Sequence, residues 1–512
     1  MRLADPLVGL STMADLGFGL PPGEALRSCA LATALARRLD LPDNEVCAVY
    51  YAALLQHVGC IGYAHETALV FGDELAMNAA AARTNFASRR DLFATFLPEL
   101  TRGHRPAARV RLTVAAMTSG ARFGDRFSTA TCEVGRATAR RLGLPEPVQQ
   151  ALYHIYEWWN GDGAPAKIAG DEIPLPARLA RLAGIAALFD SIGGTELAVT
   201  AVATRAGGML DPALADRFGR EAAAMLGELN AASDTRDLVL GAEPTPQLMI
   251  DDRQLASAAA AFGDLADLKS RFTHGHSAGV AALAGDAGRR LGLAAGDLRR
   301  LQLAALLHDL GRVAVSDAVW ERPGPLGSAE WEQVRLHPYY SERILTGSPA
   351  LAPVARWAGM HHERLDGTGY HRGCSAAELP MPVRVLAAAD AFQAMTQPRP
   401  HRPARSHDQA ATRLRALVRD RACDPEAAEA VLATAGQSPA RVRRSWPGGL
   451  SDREVEVLAL VASGCPNQEI ARRLVISRRT AEHHVQHIYT KIGVSSRAAA
   501  ALFAMEHDLL GR

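Results

Sequence analysis

The chain has 512 residues, of which 48% are hydrophobic, and a net charge of +1. That length holds about three domains, and the near-neutral balance excludes a strong field over the whole molecule, so any nucleic-acid contact must come from a local patch. Cys29, Cys47, Cys60, Cys132, Cys374, Cys423 and Cys465 form an odd, scattered set without a CxxC pair, which points to reduced thiols in the cytoplasm and not to a disulfide framework.

Among the basic residues only Lys167, Lys269 and Lys491 are lysines, and the Arg-, Ala- and Gly-rich composition fits a GC-rich bacterial genome. No charged and then apolar leader opens the chain and no 18-residue apolar run stands out, so neither secretion nor a membrane span is expected. Apolar residues recur at three- and four-residue spacing in segments such as Ala25 to Arg38 and Val280 to Leu291, which predicts a nearly all-α protein.

An internal repeat organises the first 436 residues. "YYAALLQHVG" (Tyr50 to Gly59) matches "LQLAALLHDLG" (Leu301 to Gly311) at an offset of 252 residues. "YEWWNGDGAP" with "EIPLPARLARLAG" (Tyr156 to Gly184) matches "HERLDGTGYH" with "ELPMPVRVLAAAD" (His362 to Asp390) at an offset of 206. The first copy, 1–240, therefore carries 46 extra residues between its two blocks, expected around Thr67 to Phe127. Gly241, Pro244 and Pro246 separate it from the second copy, 250–436. A Pro-, Gly- and Arg-rich linker, 437–449, leads to a compact segment, 450–512.

The second copy presents His276, His308-Asp309, His337, His361-His362 and Asp390 in order. Imidazoles and carboxylates are the ligands that hold borderline divalent ions such as Mn, Fe or Zn. Adjacent ligands on a helix splay by about 100°, so His308-Asp309 can embrace one ion or bridge two, and paired ions suit phosphodiester hydrolysis. In the first copy the matching positions read Glu24, Gln56-His57, Ile155-Tyr156 and Gly184. One His and one Glu cannot hold two ions, which leaves that copy packing, dimerisation or the binding of a regulatory ligand. Trp158-Trp159, beside the lost site, suits either stacking on a ring or plugging the vacated pocket.

"HDLGR", "HPYYSERIL", "HHERLDGTGY" and "AAADAFQAMTQPRPHR" make the second copy resemble the HD-GYP subfamily of HD phosphohydrolases, over roughly Leu268 to Gly436. The resemblance implies cyclic di-GMP cleavage at a centre ligated by His276, His308, Asp309, His337, His361, His362 and Asp390, with Asp309 the catalytic bridge between two metals. Phe272 stands where some members have a glutamate for a third ion. Arg312, Arg399 and Arg402 fall where the family holds substrate phosphates, a role guanidinium groups fill by bidentate bonding. Arg312 replaces the family's lysine, His371 the proline of the GYP triplet, and Gln393 a usual aspartate. These departures spare the ligands and bear on substrate choice.

In the last segment, Ser451 with Glu454 forms a capping box, Gly464 to Pro466 stops the first of four helices, and Ser477 caps a helix from Arg478 to Lys491. "LSDREVEVL", "NQEIARRL", "ISRRTAEHHV" and "KIGVSSRAAA" resemble the LuxR-type helix-turn-helix domain throughout. That resemblance implies phosphate contacts from Thr480, Lys491 and Arg497, base or backbone contacts from Arg479, Glu482, His483 and Gln486, and a homodimer on double-stranded DNA. The expected whole is two tandem HD-like helical bundles and a four-helix DNA-binding domain: a cytoplasmic regulator that senses, and hydrolyses, a cyclic dinucleotide such as cyclic di-GMP. The alternative is a phosphohydrolase of another nucleotide that the helix-turn-helix merely localises.

Overall fold

The computed structural model describes residues 1–103, 105–436, 446–507 and 509–510. Residues 437–445, most of the expected 437–449 linker, lie outside them. The fold is all-α: among the described residues helices follow one another without a strand, and only isolated bridges such as Arg2↔Met249 occur. The chain divides into two compact units, Met1–Gln254 and Leu255–Arg512.

In the first unit, helices Glu24–Arg38, Asp43–Leu55 and Leu175–Ala203 pack on one another. The reason is a stripe at four- and three-residue spacing: Ala25, Cys29, Ala32 and Ala36 are all completely buried, and small side chains on one face let neighbouring helices approach closely. Two stretches, Asp43–Phe71 and Leu175–Ala203, are long and apolar enough to cross a membrane by length and composition, which corrects the expectation that no such run exists. Gln56 and His57 interrupt the first and Arg178, Arg181 and Asp190 the second, so neither reads as one apolar run. The first is mostly buried inside the protein over its most apolar part and breaks at the 3-10 turn Val58–Tyr63. The second kinks at Gly193 and Gly194, where Gly194 takes φ +80°. The stretch expected to hold the extra length forms helices Ala64–Phe71, Glu74–Arg83 and part of Pro106–Arg141. Its Phe71, Met77, Phe96, Leu100 and Leu112 build a small core of their own.

In the second unit, helix His276–Arg290 packs on Ala295–Leu307, Met381–Thr396 and Pro425–Ala435. The two units repeat each other in detail. In each, a helix (Asp43–Leu55 or Ala295–Leu307) gives way to a 3-10 turn with a glycine whose missing side chain is required. A Cβ on Gly59 would lie 2.0 Å from the Thr131 carbonyl oxygen, and one on Gly311 would lie 2.0 Å from that of His337. Buried Asp15 accepts the backbone N–H of Gly23 and Ala25, and buried Asp267 accepts that of Ser277 at 2.8 Å. Glu157 accepts from Ala166, and Glu363 from Arg372 and Cys374, clamping the same loop in both copies. Arg178 pairs with Asp211 at 2.8 Å and Arg384 with Asp424 at 2.9 Å.

The C-terminal residues form helices Asp452–Ala462, Asn467–Leu474, Arg478–Ile492 and Arg497–Glu506. Ser451 and Glu454 close the capping box, and Ser477 accepts the Thr480 N–H at 3.0 Å. Within this unit the His274 ring bonds the Ala462 carbonyl, and Gly464 leaves room for the Arg271 stem.

Candidate metal centre

Helix ends, and for Asp390 the interior of a helix, bring the seven candidate ligands of the second unit together. His308 closes helix Ala295–Leu307, Asp309 opens the 3-10 turn Leu310–Ala314, and His276 and His337 each begin a helix. His361 and His362 follow helix Ala352–Gly359, and Asp390 lies inside Met381–Thr396. The two oxygens of Asp309 face opposite ways. Oδ2 lies 3.6 Å from His308 Nε2 and 3.8 Å from His276 Nε2, whereas Oδ1 lies 3.3 Å from His337 Nε2 and 3.5 Å from His361 Nε2. Asp390 Oδ1 reaches His276 Nε2 at 3.1 Å, and Oδ2 reaches His362 Nδ1 at 3.7 Å. The side chains thus sort into His276, His308 and Asp390 on one side and His337, His361 and His362 on the other, with Asp309 between.

The rings are aimed before any ion arrives. His308, His337 and His361 each bond through Nδ1 to the carbonyl three residues upstream, at 2.6–2.7 Å, which fixes the tautomer that turns Nε2 inward. His276 Nδ1 is held by Gln397 Oε1 at 2.9 Å. Such outer bonds orient metal-binding imidazoles and raise their basicity. Burial pushes the His308 imidazole down to about 4 and lowers that of His337 as well, so both keep a free lone pair at neutral pH. Although burial opposes it, neighbouring His308, which is charged only in acid, and Arg312 hold the Asp309 carboxyl well below the usual carboxylate range. His308 Nε2 is buried without a hydrogen-bond partner. The neutral imidazoles of His308 and His337, the ionised Asp309 and an orphaned inward nitrogen fit divalent cations.

Gln397 was not singled out in the sequence, although it lies inside the quoted "MTQPRPHR" block; only the fold sets it beside His276. Its truncation tests the outer shell. Gln397→Ala should lower Mn affinity about 10- to 100-fold in competition with a chelator, and Gln397→Glu should recover most of the loss. Unchanged affinity would reduce Gln397 to a packing residue.

The three arginines diverge. Arg312 lies over the Trp320 ring at 3.7 Å, with its Nη1 3.5 Å from Asp309 Oδ2, so it borders the centre. Arg399 donates to the Phe272 carbonyl, and burial lowers it to about 10. Arg402 donates to the carbonyls of Ala394, Met395, Gln397 and Pro403; its guanidinium is already engaged in holding that loop. The expected DNA contacts divide likewise. Arg479, Thr480, His483 and Gln486 are exposed on helix Arg478–Ile492, and Glu482 pairs with Arg478 at 2.8 Å. Lys491 pairs with Glu454 at 2.7 Å, and Arg497 donates to the Cys465 carbonyl and Asn467.

In the first unit the matching positions hold no such cluster. Gln56 bonds Ser28 at 2.6 Å and occupies the space that Gly184 leaves open. Tyr156 meets Cys60, and His57 stacks on Phe18 at 4.8 Å. Burial drives the His57 imidazole down to about 3. The unfolded chain, with an ordinary value near 6.5, takes up a proton that the folded unit refuses until about pH 3. Stability from this group is therefore complete above about pH 6.5 and is lost as pH falls. Between pH 7 and pH 5 the first unit should lose about 2 kcal/mol that a His57→Gln variant retains, as read by urea melts; identical pH slopes would contradict a buried neutral imidazole.

A buried histidine–aspartate cluster at helix ends, in a helical bundle, defines a metal-dependent phosphohydrolase of the HD type. The HD domain family matches residues 260–427, and the family of bacterial regulatory proteins, luxR family, matches residues 449–504. The chain is 31% identical over 411 residues to the 3'3'-cGAMP-specific phosphodiesterase 3 of Vibrio cholerae, covering 80% of this chain and 89% of that protein. It is 34% identical over 170 residues to the cyclic di-GMP phosphodiesterase of Thermotoga maritima, covering 33% of this chain and 46% of that one. The crystal structure of the cyclic GMP-AMP specific phosphodiesterase V-cGAP3 from V. cholerae superposes with a TM-score of 0.58 at 29% identity, covering 86% of this chain and 99% of that one. This chain belongs to the HD-GYP-type cyclic-dinucleotide phosphodiesterases, and carries in addition a C-terminal LuxR-type domain.

Proposed function

We propose that the protein is a cytoplasmic, homodimeric transcription regulator whose second HD domain binds and hydrolyses a cyclic dinucleotide with two divalent ions (Mn, Fe or Zn). The observation that carries the reading is Asp309, with each oxygen turned to a separate histidine group, in one chain with a helix that exposes Arg479, His483 and Gln486. His276, His308 and Asp390 would hold one ion, and His337, His361 and His362 the other. Ions held there supply charge neutralisation at a phosphodiester and a nucleophile at neutral pH. The residues of the chain do the rest. Asp309 would serve both ions, the Nδ1 bonds keep the imidazoles aimed, and Arg312, backed by Trp320, stands ready to receive a phosphate oxygen. Nothing ties Arg479, His483 or Gln486 to an ion pair among the described residues, so they are free to meet phosphates and base edges in a major groove. His274, two residues before His276, bonds the Ala462 carbonyl and offers a physical link between nucleotide occupancy and the DNA-reading helices.

The relative with long coverage is named for 3'3'-cGAMP, so both dinucleotides belong in the test. Purified full-length protein with Mn should turn over 3'3'-cGAMP or cyclic di-GMP, and should bind duplex DNA with an affinity that falls steeply with salt. Failure to bind or cleave either dinucleotide would remove the enzymatic half. Turnover of a different nucleotide, with no DNA affinity, would favour the alternative of a localised phosphohydrolase, toward which the departures at Arg312 and His371 point.

A further inference from the structure

The first unit contains a cavity of about 490 Å³, within the range of small-molecule sites (about 300–1,000 Å³). One wall comes from the inserted stretch, where Phe71, Met77 and Phe96 belong to its small core. The other wall is made of the positions that carry metal ligands in the second copy: Glu24, Gln56, His57 and Gly184. Buried polar atoms without partners are expensive. Here several meet. Glu24, His57 and Asn78 are 6%, 8% and 1% exposed, all three line the cavity, and Glu24 Oε2, His57 Nδ1 and Asn78 Oδ1 lack a hydrogen-bond partner.

The charge balance narrows the occupant. Arg181 lines the same space, its guanidinium 5.0 Å over the Tyr156 ring, with Nε buried and unpartnered and no ion pair among the described residues. His57, beside it, is neutral and adds no competing charge. Glu24 bonds Ser191 through one oxygen and faces Arg27 and Asp190, and the other two acidic residues of the lining are exposed and engaged, Asp125 with Lys167 at 3.2 Å and Asp162 with Asn160 at 2.8 Å. A lone guanidinium on the edge of an aromatic-lined cavity is complementary to an anionic head on an apolar body.

We infer that the degenerate first HD unit is a binding site for an apolar monocarboxylate, its tail among the phenylalanines of the inserted stretch and its carboxylate on Arg181, with Asn78 and His57 within the polar wall. Loss of the metal ligands then exchanged one kind of site for another. The inference is independent of the metal centre, since every lining residue belongs to the first unit.

Calorimetric titration of the full chain with dodecanoate tests it, with 1-dodecanol as the uncharged comparison. One molecule per chain should bind. Arg181→Gln should weaken dodecanoate about tenfold while leaving dodecanol unchanged, and Ala116→Phe, which fills the cavity, should weaken both. Non-saturable uptake of dodecanoate, or equal dodecanoate affinity in wild type and Arg181→Gln, would overturn the site. Equal loss of dodecanoate and dodecanol in Arg181→Gln would overturn the role of the carboxylate.

Discussion

Asp309→Ala should empty both halves of the metal centre at once. Among the described residues no other side chain faces both histidine groups so evenly: Asp309 Oδ1 lies 3.3 Å from His337 and Oδ2 3.6 Å from His308. Removing it takes away the shared negative charge that offsets the mutual repulsion of two cations and leaves imidazoles alone to hold them on that side. Metal content by elemental analysis should fall from about two ions per chain to near none, and dinucleotide turnover by about a thousandfold or more, a barrier increase of about 4 kcal/mol. His362→Ala is the comparison. That ring is 30% exposed, reaches Asp390 Oδ2 at 3.7 Å and packs on His361 and Tyr370, so its loss should spare the ion that His276, His308 and Asp390 would hold. Retention of both ions by the Asp309 variant would leave the bridging role without support.

Gly311→Ala should be the most damaging small change outside the ligands. The new methyl group would sit 2.0 Å from the His337 carbonyl oxygen and 2.6 Å from the Ser341 nitrogen, both backbone atoms that cannot swing aside. The Gly311 N–H also donates to Ser341 Oγ at 2.8 Å, and that hydroxyl donates to the His308 carbonyl. Helix His337–Thr346 must therefore back away from the turn that carries His308 and Asp309. A loss of about 3 kcal/mol in the second unit is expected, with metal affinity falling alongside because His337 moves with its helix. Gly59→Ala, which meets the Thr131 carbonyl oxygen at 2.0 Å, should destabilise the first unit by a similar amount without touching metal content. Equal metal affinity in Gly311→Ala and wild type would show that the turn relaxes without shifting His337.

The histidine–aspartate cluster was legible because such pairs are rare and local order carries them: His308-Asp309 and His361-His362 announce themselves within one turn of chain. The helices were legible for a similar reason, since stripes such as Ala25, Cys29, Ala32 and Ala36 repeat with the helical period. Partners distant in sequence were not legible. Gln397 finds His276 across 121 residues and Arg497 finds Asn467 across 30, and no spacing rule connects them. Arg402 and Lys491 look like phosphate ligands in sequence because charge is all that a sequence displays; the fold directs one at backbone carbonyls and the other at Glu454. The cavity was invisible for the same reason. Its walls come from stretches more than a hundred residues apart, and a void has no residue of its own.

The paired glycines and carboxylates have an evolutionary meaning. Gly59 and Gly311, Asp15 and Asp267, and Glu157 and Glu363 do the same mechanical work in both halves. None of them is among the histidines and aspartates that would gather the ions. Architecture and chemistry are thus written in separate residues of one ancestral unit. After duplication, the first half could discard every ligand without losing its shape, while the second kept the inherited reaction. A hollow made for ions could then be relined, one substitution at a time, through intermediates that still folded.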